Sequence, residues 1–220
     1  MDCYHRAVVT LILIAIVCGA LAGLLRAIRV EDREEEVVSK IAASVAFVVL
    51  GALGWQAGNP VATWLVIGLA LCAIGDALLL WDRTFDPGMW TFLLGHAAYI
   101  VAFHFALGIT RWPPVIALPV ALAGCGAFCW LWPHLGARKT SVGAYIVVIS
   151  VMVWGAVSVV RGGALPWTAA IGALLFYLSD LTVARHRFVT AEFLNRAAGL
   201  PLYYAGQVLI ALSVTSEALQ

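Results

Sequence analysis

Apolar residues fall in eight long runs, each separated from the next by a short polar or turn-rich connection. The runs are Val8–Leu25, Val37–Leu53, Val61–Trp81, Gly88–Gly108, Val115–Trp132, Val142–Val160, Leu165–Ala184 and Ala197–Val214. Each reaches the roughly 17 to 25 residues needed to cross about 30 Å of hydrocarbon. Backbone groups in lipid must be satisfied within their own segment, so the runs are predicted to be helices. Gly58-Asn59-Pro60, the stretch from Asp82 to Gly88, Pro113-Pro114 and Arg161-Gly162-Gly163 read as turns at water. Trp55, Trp64, Trp81, Trp90, Trp112, Trp132 and Trp167 lie near predicted helix ends, the positions of an aromatic belt. The acidic stretch from Glu31 to Glu36 reads as a solvated loop.

This pattern predicts an all-α polytopic membrane protein, one domain over residues 1–220 with eight transmembrane helices in one bundle. Composition agrees: 63% of the 220 residues are hydrophobic and 11% charged, where soluble domains carry about 25% charged residues. A net charge of +1 gives no field that would draw nucleic acid. The first run has a single flanking arginine, Arg6, and leads into a charged connection, so it reads as a retained helix rather than a signal peptide. Cys18, Cys72, Cys125 and Cys129 lie within apolar runs, where cysteine acts as a small hydrophobe.

Basic residues set the expected orientation. The connections after runs one, three, five and seven, with their flanks, hold ten Lys and Arg residues; the opposite side holds three, Arg6, Arg111 and Arg161. The richer side is therefore expected in the cytoplasm, with both termini on the other side of a bacterial-type inner or plasma membrane.

Two carboxylates stand out against the apolar runs. Asp76 lies five residues before Trp81, and Asp180 five before Arg185. Each is thus roughly 7–8 Å inside the boundary of the richer side. An ionisable group within a span is costly and by default functional, facing a partner or a cavity. The alternative is a pair of structural carboxylates, each hydrogen-bonded across helices.

Runs four and eight enter from the same side. They place His96 about 12 Å deep with Tyr99 one turn further, and Tyr203 and Gln207 about 10 and 16 Å deep on one face. Lys40, at the start of run two, is on the correct side to meet a phosphate and otherwise reads as a snorkelling residue. His96 and His104 are two turns apart, too far to share one metal ion, and no metal set is expected.

At Gly75-Asp76, Gly95-His96-Ala97-Ala98-Tyr99 and Phe176-Tyr177-Leu178-Ser179-Asp180 the chain resembles the YhhN-type lysoplasmalogenase family of small membrane proteins with about eight spans. The resemblance continues through Arg187-Phe188 and Tyr203-Tyr204 to Gln207 and covers nearly the whole chain. One departure falls in run two, where the family tends to have Lys-Pro and this chain reads Lys40-Ile41.

The resemblance implies hydrolysis of the vinyl ether bond of a lysophospholipid with a single alkenyl chain, of choline or ethanolamine type. It also implies that Asp76 and Asp180 match the family's acidic positions, and that His96, Tyr203 and Gln207 match its other polar ones. Vinyl ether cleavage begins with protonation of the outer alkene carbon and passes through an oxocarbenium ion, a chemistry that suits paired carboxyls. One of Asp76 and Asp180 is expected to act as acid, and the other to stabilise the cation and activate water. His96 and Tyr99 are expected to orient a carboxyl or the water, and Gln207 the phosphoglycerol. No cofactor is required, and the expected partners are the lipid substrate and the surrounding membrane lipids. The rival reading is a secondary transporter or proton-coupled carrier, since intramembrane Asp and His also mark ion relays.

Overall fold

The computed structural model describes residues 3–215, apart from the side chain of Cys3; the two ends of the expected 1–220 domain, residues 1–2 and 216–220, lie outside the described residues. Among the described residues eight α-helices make up the bundle: α1 (Cys3–Val30), α2 (Arg33–Ala52), α3 (Pro60–Leu78), α4 (Phe85–Ala106), α5 (Pro114–Leu131), α6 (Lys139–Arg161), α7 (Trp167–Ala184) and α8 (Phe193–Val214). Over the described residues, seven of them are long and apolar enough to cross a membrane. The exception is α2, where Glu34, Glu35, Glu36 and Lys40 crowd its first half. The fold is therefore the expected all-α membrane bundle, with seven such spans where eight were predicted from apolar length alone.

Local chemistry accounts for the helix starts. Asn59 accepts a hydrogen bond from the Ala62 N–H at 3.1 Å, and Pro60 fills the first turn of α3, where a missing N–H costs nothing. The acidic stretch is not a loop. Glu31 takes a left-handed φ of +60°, Asp32 caps the Glu35 N–H at 3.1 Å, and the following glutamates complement the positive end of the α2 dipole. The segment expected as a turn from Asp82 to Gly88 is likewise mostly helical: a 3-10 turn over Asp82–Thr84 runs straight into α4.

The main packing pairs are α1 with α2, α3 with α4, and α7 with α8, and α2 also meets α3 and α8. Small residues set these distances, as expected where no hydrophobic force drives helices together in lipid. A Cβ on Gly172 would lie 2.8 Å from the Gly206 carbonyl oxygen, and one on Gly206 would lie 2.9 Å from that of Gly172. The backbones of α7 and α8 thus touch. Trp112 departs from the expected belt: it is buried, donates to the Leu107 carbonyl at 2.6 Å, and meets the Trp154 ring edge-to-face at 5.3 Å. Trp55, Trp81, Trp90, Trp132 and Trp167 are exposed, as a belt requires.

Replacing Gly172 or Gly206 by Ala pushes a methyl group into facing backbone that has no rotamer to yield. Each variant is expected to lose about 1–3 kcal/mol of stability, read as a fall in Tm of the purified protein in detergent.

Candidate functional site

A cavity of about 390 Å³ opens at one end of the bundle, where α2, α4, α6 and α8 begin and α3, α5 and α7 end. Asp76 and Asp180 both line it. Each sits near the C-terminal end of its helix, where the macrodipole disfavours an anion. Local partners must therefore compensate, and the two carboxyls solve this with separate sets.

Asp76 keeps 3% of its side chain exposed. Its Oδ2 accepts hydrogen bonds from Ser44 Oγ and from the Tyr203 hydroxyl, both at 2.7 Å. Its Oδ1 lies 3.5 Å from Lys40 Nζ. Lys40 is buried, so it does not snorkel to water; it turns inward because a buried carboxylate is its strongest available partner. Lys40 and Ser44 are four apart and share one face of α2, so this helix supplies two of the three partners.

Asp180 keeps 18% of its side chain exposed. Its Oδ2 accepts from the Tyr145 hydroxyl at 2.9 Å and lies 3.2 Å from His96 Nε2; those two partners are themselves 2.9 Å apart. Three polar groups from α7, α6 and α4 thus close a triangle. Among the described residues, Asp180 Oδ1 takes no hydrogen bond and His96 Nδ1 has no partner.

No hydrogen bond joins the two aspartates among the described residues. Between their partner sets lies an aromatic layer: Phe176 stands 4.4 Å from the His96 ring and 5.2 Å from Tyr203, and Phe92 stands 5.8 Å from Tyr203 and 6.1 Å from Phe176, as ring centroids. Phe92 and Tyr203 also line the cavity. Both carboxyls therefore border one cavity, with the Phe92 and Tyr203 rings in the lining they share.

The expected site residues divide accordingly. Asp76, Asp180, Lys40 and Tyr203 line the cavity, and His96 stands directly behind Asp180. Tyr99 and Gln207 meet each other instead, with the Tyr99 hydroxyl donating to Gln207 Oε1 at 2.8 Å in a fully buried layer. Tyr145 and Ser44 escaped the sequence reading. Each carried a faint signal: Tyr145 lies three residues into run six at the depth of Asp180, and Ser44 follows Lys40 by one turn. Among the described residues no group of three His, Cys, Asp or Glu side chains is placed to hold a metal ion.

Bundle and cavity together define an integral multi-pass membrane protein with a polar site sunk below one surface. The profile of the YhhN family matches residues 35–214, and the chain belongs to that family. Lysoplasmalogenase TMEM86A of Bos taurus is 40% identical over 181 residues, covering 78% of this chain and 73% of the relative. The human protein of the same name is 34% identical over the same length, with the same coverage. Lysoplasmalogenase TMEM86B of Rattus norvegicus is 35% identical over 153 residues, covering 69% of this chain and 61% of the relative. No solved structure matches the chain.

Removing one member of a buried ion pair costs more than removing both. Lys40→Met is expected to destabilise the protein by about 3–5 kcal/mol. The double variant Lys40→Met/Asp76→Asn should recover much of that loss, with Tm in detergent as the readout for both.

Proposed function

We propose that this protein is a membrane-embedded hydrolase that cleaves the vinyl ether bond of lysoplasmalogens, releasing a fatty aldehyde and a glycerophospho-alcohol. The observation that carries this reading is the opening of both intramembrane carboxyls onto one cavity, in a chain whose relatives are named lysoplasmalogenases. The cavity suits such a lipid. Arg33, Arg187 and Arg196 stand at its mouth, and Ile146, Ile149 and Leu181 give an apolar wall for the single chain. The mouth is the basic end of the bundle, which faces the cytoplasm in this reading.

The reaction needs one proton delivered to carbon and one water delivered to the cation that results. Asp180, in its protonated form, gives the proton to the outer alkene carbon through its unbonded Oδ1, while Tyr145 and His96 hold Oδ2. The C–H bond forms as the alkene pair is drawn to that carbon, and the adjoining carbon becomes an oxocarbenium. Asp76 faces that charge as a carboxylate fixed by Ser44, Tyr203 and Lys40, and the faces of Phe92 and Tyr203 add a cation–π contribution. Asp180, now ionised, takes a proton from the attacking water, giving a hemiacetal. Collapse of the hemiacetal breaks its bond to the glycerol oxygen, which leaves with a proton as the alcohol. Paired carboxyls flank a similar cation in glycoside hydrolysis.

Asp180→Asn and Asp76→Asn are each expected to lower aldehyde release by roughly 10²–10⁴-fold in purified protein that still unfolds cooperatively, Asp76→Asn at a lowered Tm. Near wild-type turnover by either folded variant would remove that residue from the chemistry. Uptake of the lipid into liposomes with its vinyl ether intact would instead favour a carrier.

A further inference from the structure

One face of α2 carries a polar ladder into the bundle. Arg33, Glu36, Lys40 and Ser44 recur at steps of three and four residues, so they stack on one side of the helix. Its lower rungs hold Asp76, as described above. Its upper rungs are not used by the reaction.

At the top, Glu36 bridges two guanidiniums. Its Oε2 accepts from Arg33 Nη1 at 2.9 Å, and its Oε1 accepts from Arg196 Nη2. Glu36 keeps only 13% of its side chain exposed and lies just before the apolar part of α2. Burial pushes its carboxyl up, but the Arg196 and Arg33 guanidiniums outweigh this and hold it below its ordinary value. Arg187 lines the same cavity, its guanidinium 4.2 Å above the Phe85 ring and its Nη1 3.0 Å from Asp82, an aspartate that is 92% exposed. All three arginines line the mouth of the cavity and are a third to a half exposed. An anion with its oxygens shared between two guanidinium forks is the arrangement a phosphodiester adopts with its two free oxygens.

We propose that Arg187 and Arg196, with Arg33, form a binding subsite for the phosphate of a lysophospholipid headgroup, and that Glu36 is the resident anion this phosphate displaces. The proposal rests on the reading of the cavity as a lysophospholipid hydrolase site. Chain geometry agrees with it. Arg33 and Lys40 are separated by about 10 Å of helix rise. In the lipid, about five bonds, roughly 6 Å, lie between the ether oxygen and phosphorus. A lipid with its vinyl ether at the level of the aspartates thus brings its phosphate within reach of the arginines. Displaced Glu36 remains one turn from Lys40, so its charge keeps a partner.

The test is equilibrium binding to the full-length protein in detergent, using three probes: a saturated 1-alkyl lysophospholipid, the matching 1-alkylglycerol without phosphate, and inorganic phosphate. The uncleavable lysophospholipid should bind at least about tenfold more tightly than the alkylglycerol. Arg187→Gln and Arg196→Gln should each weaken it about tenfold and leave alkylglycerol binding unchanged, while Glu36→Gln should tighten it. Alkylglycerol binding also reports that the variants are folded. Equal affinity for the two lipids, or arginine variants that weaken both alike, would overturn the subsite. Competition by inorganic phosphate as strong as that by the lipid would mark a free-phosphate site and overturn the headgroup assignment. Arginine-dependent lipid binding without any aldehyde release would sink the hydrolase reading and leave the subsite standing. Turnover with equal kcat/KM on alkenyl substrates with and without phosphate would sink the subsite alone.

Discussion

A carboxylate placed in hydrocarbon has to be answered from within the protein, and the Asp76–Lys40 pair is how this bundle answers it. Isolated, either charge would be too costly to bury; together, with Ser44 and Tyr203 filling the remaining positions, they become a joint between α2, α3 and α8. Much of the architecture follows from that joint. It draws the most highly charged helix, α2, into the bundle. There α3 and α8 cover its polar face, and α1, the most apolar and least buried of the candidate spans, packs along it.

The second carboxyl is held on different terms. Asp180 meets neutral hydroxyl and imidazole partners in place of a lysine, and it keeps an oxygen open to the cavity. Phe92, Phe176 and Tyr203 keep the two networks from merging. Two acids of the same residue type, at matched depth in their helices, thereby acquire unlike surroundings. The environment differentiates them, as it does in sites where one carboxyl must differ in role from another.

Much of this was legible in the residue order. Apolar run length located the helices, and the depth of Asp76, Asp180, His96 and Tyr203 from a shared boundary brought together residues that do meet. What escaped had physical causes. A hydroxyl such as Ser44 or Tyr145 adds little to a hydropathy pattern, yet once a carboxyl is buried beside it, it becomes an obligatory donor. Lys40 looked like an interfacial residue because sequence gives depth without rotation about the helix axis. Tyr99 and Gln207 were at plausible depth, but their partner proved to be each other. The acidic stretch misled for a related reason: three glutamates resemble a solvated loop until Asp32 is recognised as a cap and the dipole of α2 gives them a reason to be helical.

One irregularity at the end of α7 reaches further than its size suggests. Between Arg185 and Val189 the backbone widens into a single π-turn, closed by the Thr190 N–H donating to the Arg185 carbonyl at 2.9 Å. The wider turn holds one more residue than an α-turn, which offsets the angular phase of everything after it. Arg185 reaches across to Glu192 and Asn195, latching the connection to α8, while Arg187 points the other way, toward Asp82. Two positions apart, the two arginines face opposite sides of the turn, so one segment serves both the latch and the cavity rim.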